Sequence, residues 1–275
     1  MTTDSAFTKA SSVSQRSPGL WDGSIAPGWD ILGNTNGGYV LALLGNAMRN
    51  EAGRQDPLSI TAHFLAPTRP GLVEIRTEVL KQGRTASTVA ATAFAEDKPL
   101  VSALGSFGEV VQGAQSLVSL AGPPDLPPVE ECFSLFRAPE TPDSVPFPPA
   151  FMGKVDLRLH PQDAGFAEGK PSGQPQMRSW FQLPGSESID SLALLLAADA
   201  LPPTTFNSGL PVAWTPTLEL TVHVRAIPVP GWLRIDAQTR FISDGRLEVD
   251  ALIWDEADHL VAQSRQLQLL PLEAQ

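Results

Sequence analysis

Two distant stretches of the chain repeat one another. The segment ITAHFLAPTRPGLVEIRTEV, which begins at residue 60, aligns without a gap to LTVHVRAIPVPGWLRIDAQT, which begins at residue 220. Thr61 and His63 in the first segment match Thr221 and His223 in the second, and at least nine positions between residues 60 and 101 are identical, where chance gives roughly three. The sequence therefore predicts two copies of one structural unit within a single chain.

Each copy combines one helix with four strands. In TLELTVHV, residues 217–224, apolar and polar side chains alternate as in half-buried antiparallel strands. A helix is predicted before each run of strands, at 36–52 and at 188–201, where Ser188 or Asp190 can cap the second helix. That helix is apolar nearly all round, which indicates a long central helix wrapped by a curled sheet, an α+β fold. The predicted strands are 57–66, 71–82, 85–96 and 99–112 in the first copy, and 215–226, 231–243, 246–257 and 259–270 in the second.

A proline-rich segment separates the copies. Residues 121–150 contain nine prolines, which break helices and remove strand donors, so we expect an extended surface linker. The expected organisation is a flexible N-terminal tail over 1–16, a first unit over 17–112, a linker over 113–150 and a second unit over 151–275.

Composition excludes several classes of protein. A net charge of −11 with scattered basic residues argues against nucleic-acid binding, and no apolar run is long enough for a membrane span. Cys132 is the single cysteine, which rules out an internal disulfide, and the four histidines lack metal-ligand spacing. No nucleotide-binding glycine loop or serine-hydrolase elbow is present, so we expect no metal and no cofactor. The polar N-terminus lacks a secretory signal, and a cytoplasmic location is expected.

Several motifs resemble the acyl-CoA thioesterase II family and its thioesterase-like relatives. They are NGGYVLALLGNAM, HFLAPTRPG followed by KQGRTASTVAATAF, AADALPP, and LVAQSRQ near the end. The resemblance runs from about residue 21 to 270 outside the linker, and it implies a double hotdog fold, two tandem units each with a long helix in a curled antiparallel sheet. It further implies an acyl-CoA substrate, a place in lipid metabolism, and assembly into homodimers or larger homo-oligomers.

The resemblance also implies a catalytic trio that holds a water for thioester hydrolysis. The Asp falls on Asp199, the Thr on Thr217, with Thr215 as the alternative, and the Gln on Gln266. Such a water needs an acceptor for its proton and groups that fix its direction, which an Asp, a Gln and a Thr can supply. The matching positions of the first copy hold Pro57 and Ser106, so we expect one such site per chain.

Plainer roles stand beside each of these assignments. Asp199 could be a capping or surface residue at the end of a helix. Thr217 lies on the polar face of its predicted strand, and Gln266 could be a solvated side chain on an edge strand.

Two adjacent glycines at the start of the first helix complete the predicted site. Gly37 and Gly38 would leave the backbone N–H groups of the helix N-terminus open to a substrate carbonyl, beside Asn36. The alternative is that Asn36 caps the helix and the glycines only let it pack closely. Substrate-binding residues are therefore predicted at all three positions.

The sequence is also compatible with two other functions. The first is a non-catalytic protein that binds acyl-CoA or an acyl chain, because only three residues separate it from the enzyme. The second is a hotdog acyl-CoA hydratase, whose chemistry usually requires a paired Asp and His. The histidines of this chain do not lie near the expected helix position.

Overall fold

The computed structural model describes residues 6–113, 116, 118–135, 149–210, 212 and 214–270. These residues form an α+β structure in which helices pack against one very large antiparallel sheet. The helices are α1 (Ala6–Ala10), α2 (Gly37–Ala52) and α3 (Ser191–Ala197). The strands of the N-terminal part are β1 (Val13–Ser17), β2 (Leu20–Ile25), β3 (Asp30–Ile31), β4 (Asn34–Thr35), β5 (Asp56–Phe64), β6 (Gly71–Gln82), β7 (Ser87–Ala95) and β8 (Lys98–Gly108). Those of the C-terminal part are β9 (Phe133–Ser134), β10 (Asp156–Leu159), β11 (Gln176–Gln182), β12 (Thr217–Val224), β13 (Leu233–Gln238), β14 (Ile242–Ser243), β15 (Arg246–Trp254) and β16 (Leu260–Leu269).

The order of strands mirrors the sequence repeat. Within the described residues, the fourteen-stranded sheet runs β1-β2-β6-β7-β8-β5-β12-β16-β15-β13-β11-β10-β9, with β14 beside β15. Outward from the central pair, β5-β8-β7-β6 on one side matches β12-β16-β15-β13 on the other. In the central pair Thr61 lies opposite Thr221, its counterpart in the repeat, and their hydroxyl oxygens are 2.9 Å apart. The predicted strand runs are confirmed to within a few residues.

Helix α2 confirms the prediction for residues 36–52. Its N-terminus is capped by Asn36, whose Oδ1 accepts from the Tyr39 N–H at 2.9 Å, and its C-terminus ends at Gly53, which has the left-handed φ of 59° that favours glycine. The helix is sixteen residues long and packs against β5, β6, β7 and β8. It therefore covers most of the inner face of the N-terminal part of the sheet.

Helix α3 is much shorter than the predicted helix at 188–201. Asp190 caps it, accepting from the Ala193 N–H at 2.8 Å, and the helix ends at Ala197 after seven residues. Two prolines follow at 202 and 203, and a residue before proline is sterically disfavoured in the helical conformation. The prediction of a long second helix is wrong, and α3 packs mainly on α2, β5 and β12.

The N-terminal segment is ordered from Ala6 onward, which corrects the flexible tail predicted for 1–16. Phe7 is buried, with its ring centroid 6.0 Å from that of Trp29, and β1 pairs with β2. The Tyr39 hydroxyl on α2 donates to the Ala10 carbonyl at 2.9 Å and accepts from the Ala26 N–H at 3.0 Å. A buried ring and a helix thus hold the segment in place; residues 1–5 lie outside the described part.

The linker contributes to the core as well as to the surface. Leu135 is fully buried, and Phe133 and Ser134 form β9 at the edge of the sheet beside β10. Cys132 is a buried free thiol in the same segment. Residues 136–148 lie outside the described part. Among the helices that the structure does describe, none is long and apolar enough to cross a membrane.

Candidate functional site

The two longer helices meet at the glycine pair. A Cβ atom on Gly38 would lie 2.6 Å from the Leu195 carbonyl oxygen of α3, closer than any real side chain is found. A Cβ on Gly37 would lie 2.8 Å from the Phe64 ring and 2.9 Å from Asp199 Oδ2. The glycines therefore permit close packing of α2 on α3, and this packing brings Asp199 to the N-terminus of α2.

Asp199 follows α3 and receives hydrogen bonds from both halves of the chain. Its Oδ2 accepts from the Gly38 N–H at 2.9 Å and from Asn36 Nδ2 at 3.3 Å. Its Oδ1 accepts from Gln266 Nε2 at 2.8 Å. The carboxylate thus lies between the start of α2 and strand β16, partly exposed to a cavity.

The three predicted substrate-binding residues, Asn36, Gly37 and Gly38, differ in what they contact. Asn36 is buried, caps α2 and donates to the Asp199 carbonyl at 2.7 Å, so the capping interpretation is confirmed. The Gly38 N–H donates to Asp199 and the Gly37 backbone also lowers the pKa of that carboxyl, but only Gly37 of the pair lines the cavity. Of the glycine pair, Gly37 is the residue that faces the space a ligand could fill.

Gln266 is a buried residue of a central strand, not a solvated edge residue. It is only 5% exposed, and β16 lies between β12 and β15. Its Oε1 accepts from the Thr217 hydroxyl at 3.1 Å and from Gln268 Nε2 at 2.8 Å. Because both donors approach the oxygen, the amide nitrogen is left to face Asp199. Gln268 was not predicted as a site residue, although its spacing of two from Gln266 places both on one face of a strand.

Thr217 reaches the site because the β12–β16 ladder is irregular at its start. Thr217 pairs with Gln268 but Glu219 pairs with Leu267, so two steps on β12 match one on β16. The extra residue turns Thr217 toward the cavity, although the alternation in the sequence places it on the outer face. Its hydroxyl donates to Gln266, so within the described part of the chain Thr217 acts on Asp199 through that amide. Thr215, the alternative assignment, is also buried and lines the same cavity.

Burial makes Asp199 a weaker acid than usual. Removal from water raises the pKa of Asp199 from 3.8 to about 6, against the opposing effect of hydrogen bonds from Gly38, Gln266 and Gly37. It is the sole ionisable residue among the described residues that line the cavity, so no cation offsets the burial. A carboxylate with a pKa near 6 is mostly ionised at pH 7 and still accepts a proton readily.

A cavity of about 800 Å³ opens beside Asp199. This size lies within the ~300–1,000 Å³ that is usual for small-molecule sites. Its polar wall contains Asp199, Thr217 and Gln266, and most of its remaining lining is apolar. Exposed apolar side chains on the lining include Leu32, Leu65, Val212 and Trp214. A ligand with a polar centre and an apolar extension matches this distribution.

Other candidate centres are absent from the described residues. These contain no cluster of three His, Cys, Asp or Glu side chains able to hold a metal ion. His63 and His223, the histidine pair of the repeat, are exposed on the outer face of the sheet. In the N-terminal part, Pro57 and Ser106 replace Thr217 and Gln266, so the polar trio occurs once among the described residues.

Comparison with known proteins identifies the family. Residues 25–108 match the family model described as the acyl-CoA thioesterase N-terminal domain, and residues 125–270 match that of the acyl-CoA thioesterase C-terminal domain. An uncharacterized protein of Mycobacterium tuberculosis is 28% identical over 270 residues, with 92% of each chain covered.

Solved structures agree with the family match. A Thermobifida fusca protein assigned provisionally to thioesterase II is 31% identical to this chain. The two structures superpose with a TM-score of 0.87 over 98% of each chain. This chain also shares the fold of a protein of unknown function with a hot dog fold from Alicyclobacillus acidocaldarius. The TM-score is 0.82 and the identity 18%, over 99% of this chain and 100% of that protein. This chain belongs to the acyl-CoA thioesterase family.

Proposed function

We propose that the protein hydrolyses acyl-CoA thioesters to a carboxylic acid and CoA, with Asp199 as the general base. The observation that carries the proposal is the position of Asp199, a carboxylate with a pKa of about 6, at the junction of two helices and a large cavity. Family membership supports acyl-CoA as the substrate. Water and acyl-CoA are the only reactants that the proposal requires.

The reaction begins with a water molecule next to Asp199, Thr217 and Gln266. Asp199 removes a proton from this water while the water oxygen forms a bond to the thioester carbonyl carbon. The tetrahedral intermediate then collapses, the carbon–sulfur bond breaks, and the departing sulfur takes up the proton from Asp199. The products are the free acid and CoA, and the carboxylate is restored.

The Gln266 amide prepares Asp199 for this role. Because Gln266 Nε2 donates to Oδ1 and the Gly38 N–H donates to Oδ2, the carboxylate is held in one orientation. Thr217 and Gln268 fix the Gln266 amide in turn. A fixed base loses little entropy when the reaction begins.

The N-terminus of α2 is the proposed source of carbonyl polarisation. Gly37 lines the cavity, and the positive end of the helix dipole favours the negative charge that develops on the carbonyl oxygen. The Gly38 N–H contributes to the site by holding the Asp199 carboxylate. The N-terminal part of the chain would therefore contribute backbone groups, and the C-terminal part the side chains.

The fold and setting belong to the same proposal. We infer that the two halves of the sheet are two tandem hotdog units, a double hotdog, because strand order and sequence repeat together. The second unit departs from the expected form in its short helix α3. We also propose a cytoplasmic location, together with a role in lipid metabolism and assembly into homo-oligomers, both of which the family resemblance implies.

A thiol-release assay over a series of acyl-CoAs from two to sixteen carbons tests the proposed activity. We expect release of CoA above the rate in buffer for at least part of the series. Binding of acyl-CoA without release by the folded wild-type protein would favour the acyl-binding alternative. The hydratase alternative has less support, since no histidine lies among the described residues that line the cavity.

A further inference from the structure

The cavity exists because α3 is short. Helix α2 spans sixteen residues and covers the inner face of β5 to β8, whereas α3 ends after seven, packs mainly on α2 and reaches only β5 and β12 of the sheet among its main contacts. The inner faces of β13 and β15 therefore line an open space. Leu135 from the linker, Met152 and Phe206 also line it.

The floor of this space is made of small side chains. Ala237 on β13 lies directly opposite Ala251 on β15, and Ser264 on β16 lies opposite Ala251 on its other side. Larger residues flank the two alanines along their strands, Ile235 on β13 and Val249 on β15, and both line the cavity too. The helix side is also small, since Ala197 and Ala198 line the cavity. The result is a trough that leads from beside Asp199 across β15 and β13.

Two unpartnered polar atoms of the cavity wall match the water and the thioester group of the proposed reaction, whereas the apolar lining matches the acyl chain. Thr215 Oγ1 and Gln268 Oε1 belong to side chains of the cavity wall, are more than nine-tenths buried, and have no hydrogen-bond partner among the described residues. Buried polar atoms are almost always paired. Protein interiors are also close-packed, and a gap of about 800 Å³ is far larger than a packing defect.

We propose that the acyl chain of the substrate crosses β15 and β13 over Ala251 and Ala237, and that these two alanines determine the length and bulk of the acyl group accepted. The inference rests on the proposed function and names the acyl site of the same cavity. It places the acyl chain over two strands of the C-terminal unit, in a cavity that Phe64 and Leu65 of the N-terminal unit also line. Leu135, Met152 and Phe206 line the same cavity and are apolar, which favours a hydrocarbon chain.

The repeat supplies a matched control for the test. Ala91 lies on β7, 160 positions before Ala251, is buried, and faces α2 instead of a cavity. Ala251→Leu fills empty space, so its melting temperature stays within about 3 °C of the wild type. Ala91→Leu overpacks a filled core and lowers the melting temperature by roughly 3–10 °C. Ala90→Leu, at a half-buried position on the other face of β7, controls for the substitution itself.

The decisive readout is the preference between dodecanoyl-CoA and butanoyl-CoA. Leucine adds three carbon atoms to the floor and displaces two to three methylene groups, each worth about fourfold in affinity. In Ala251→Leu the ratio of kcat/KM for the long over the short substrate should fall by roughly 15- to 60-fold. Ala237→Val should lower it by a smaller factor, and Ala90→Leu should leave it unchanged.

A binding experiment separates this inference from the proposed activity. Calorimetry with the same two acyl-CoAs on the Asp199→Asn protein measures the long-chain preference without hydrolysis. Suppose that the wild-type protein releases no CoA but that Ala251→Leu, added to the Asp199→Asn protein, selectively weakens binding of dodecanoyl-CoA. The proposed hydrolysis is then wrong and the proposed acyl site is right. If both acyl-CoAs are affected equally, or neither is, in Ala251→Leu and Ala237→Val alike, the acyl site is wrong.

Discussion

Replacing Gln266 with methionine should move the pH dependence of the reaction to higher pH. Gln266 Nε2 donates to Asp199 Oδ1 at 2.8 Å, and this bond lowers the pKa of Asp199 against the larger effect of burial. A hydrogen bond to a charged group contributes about 1.5–3 kcal/mol, and one pKa unit corresponds to about 1.4 kcal/mol. Loss of the bond should raise the pKa of Asp199 by roughly one to two units from its value of about 6.

The assay is the pH profile of kcat/KM for acyl-CoA hydrolysis, which reports groups of the free enzyme. Because the base must be ionised, the wild-type rate should rise with pH through about 6 and reach only about one-tenth of its plateau at pH 5. In Gln266→Met the midpoint should lie at roughly 7–8, so that much of the activity lost at pH 7 returns at pH 9.

Gln263→Met is the matched control. Gln263 lies on the same strand but contacts Arg225 on the outer face, so its replacement should leave the midpoint unchanged. A Gln266→Met protein that loses activity by the same factor at every pH would refute the reasoning. Gln266 would then contribute to activity without lowering the pKa of Asp199.

Three further predictions follow from the same geometry. Gly38→Ala should destabilise the protein by about 1–3 kcal/mol in chemical denaturation because its Cβ meets the Leu195 carbonyl. Gly45→Ala should be near neutral, because its Cβ meets only the ends of the Leu195, Leu192 and Ile60 side chains. Thr217→Val should lower kcat roughly 2- to 13-fold in steady-state assays, since it removes one neutral hydrogen bond to the Gln266 amide; an unchanged kcat would contradict this. Because the pKa of Asp199 is raised, the folded state binds more protons than the unfolded state between about pH 3.8 and 6. The free energy of unfolding should therefore fall as pH rises through this window. The fall should be at most about 3 kcal/mol, and smaller to the extent that water in the cavity solvates the carboxylate. Asp199→Asn should lack this fall in denaturation curves from pH 4 to 7, and a parallel decline in both proteins would argue against the raised pKa.

The repeat is the reason that so much of the fold could be predicted. Strand positions follow from alternating polarity, and the match of Thr61 to Thr221 anticipates their pairing at the centre of the sheet. The N-terminal segment was missed because its anchor, the ring of Phe7 against Trp29, depends on a contact distant in sequence.

The candidate site was predicted from the sequence in part. Asp199 and Gln266, two residues of the trio that the family resemblance implied, do come together, and Asn36, predicted from the start of the first helix, joins them. Thr217 reaches them only through an irregular ladder, which no alternation of residues reveals. The short α3 could not be predicted from polarity either, since LALLLAADAL reads as one continuous apolar helix.

The most direct test of the central claim compares Asp199→Asn with Asp190→Asn in acyl-CoA hydrolysis. Both substitutions replace a carboxylate near an end of α3, but Asp190 is its N-cap, a position where asparagine works equally well. We predict that kcat/KM falls about 10²- to 10⁴-fold in Asp199→Asn and stays within about twofold of the wild type in Asp190→Asn. A folded Asp199→Asn protein that retains more than one-tenth of wild-type activity would contradict the assignment of Asp199 as the base.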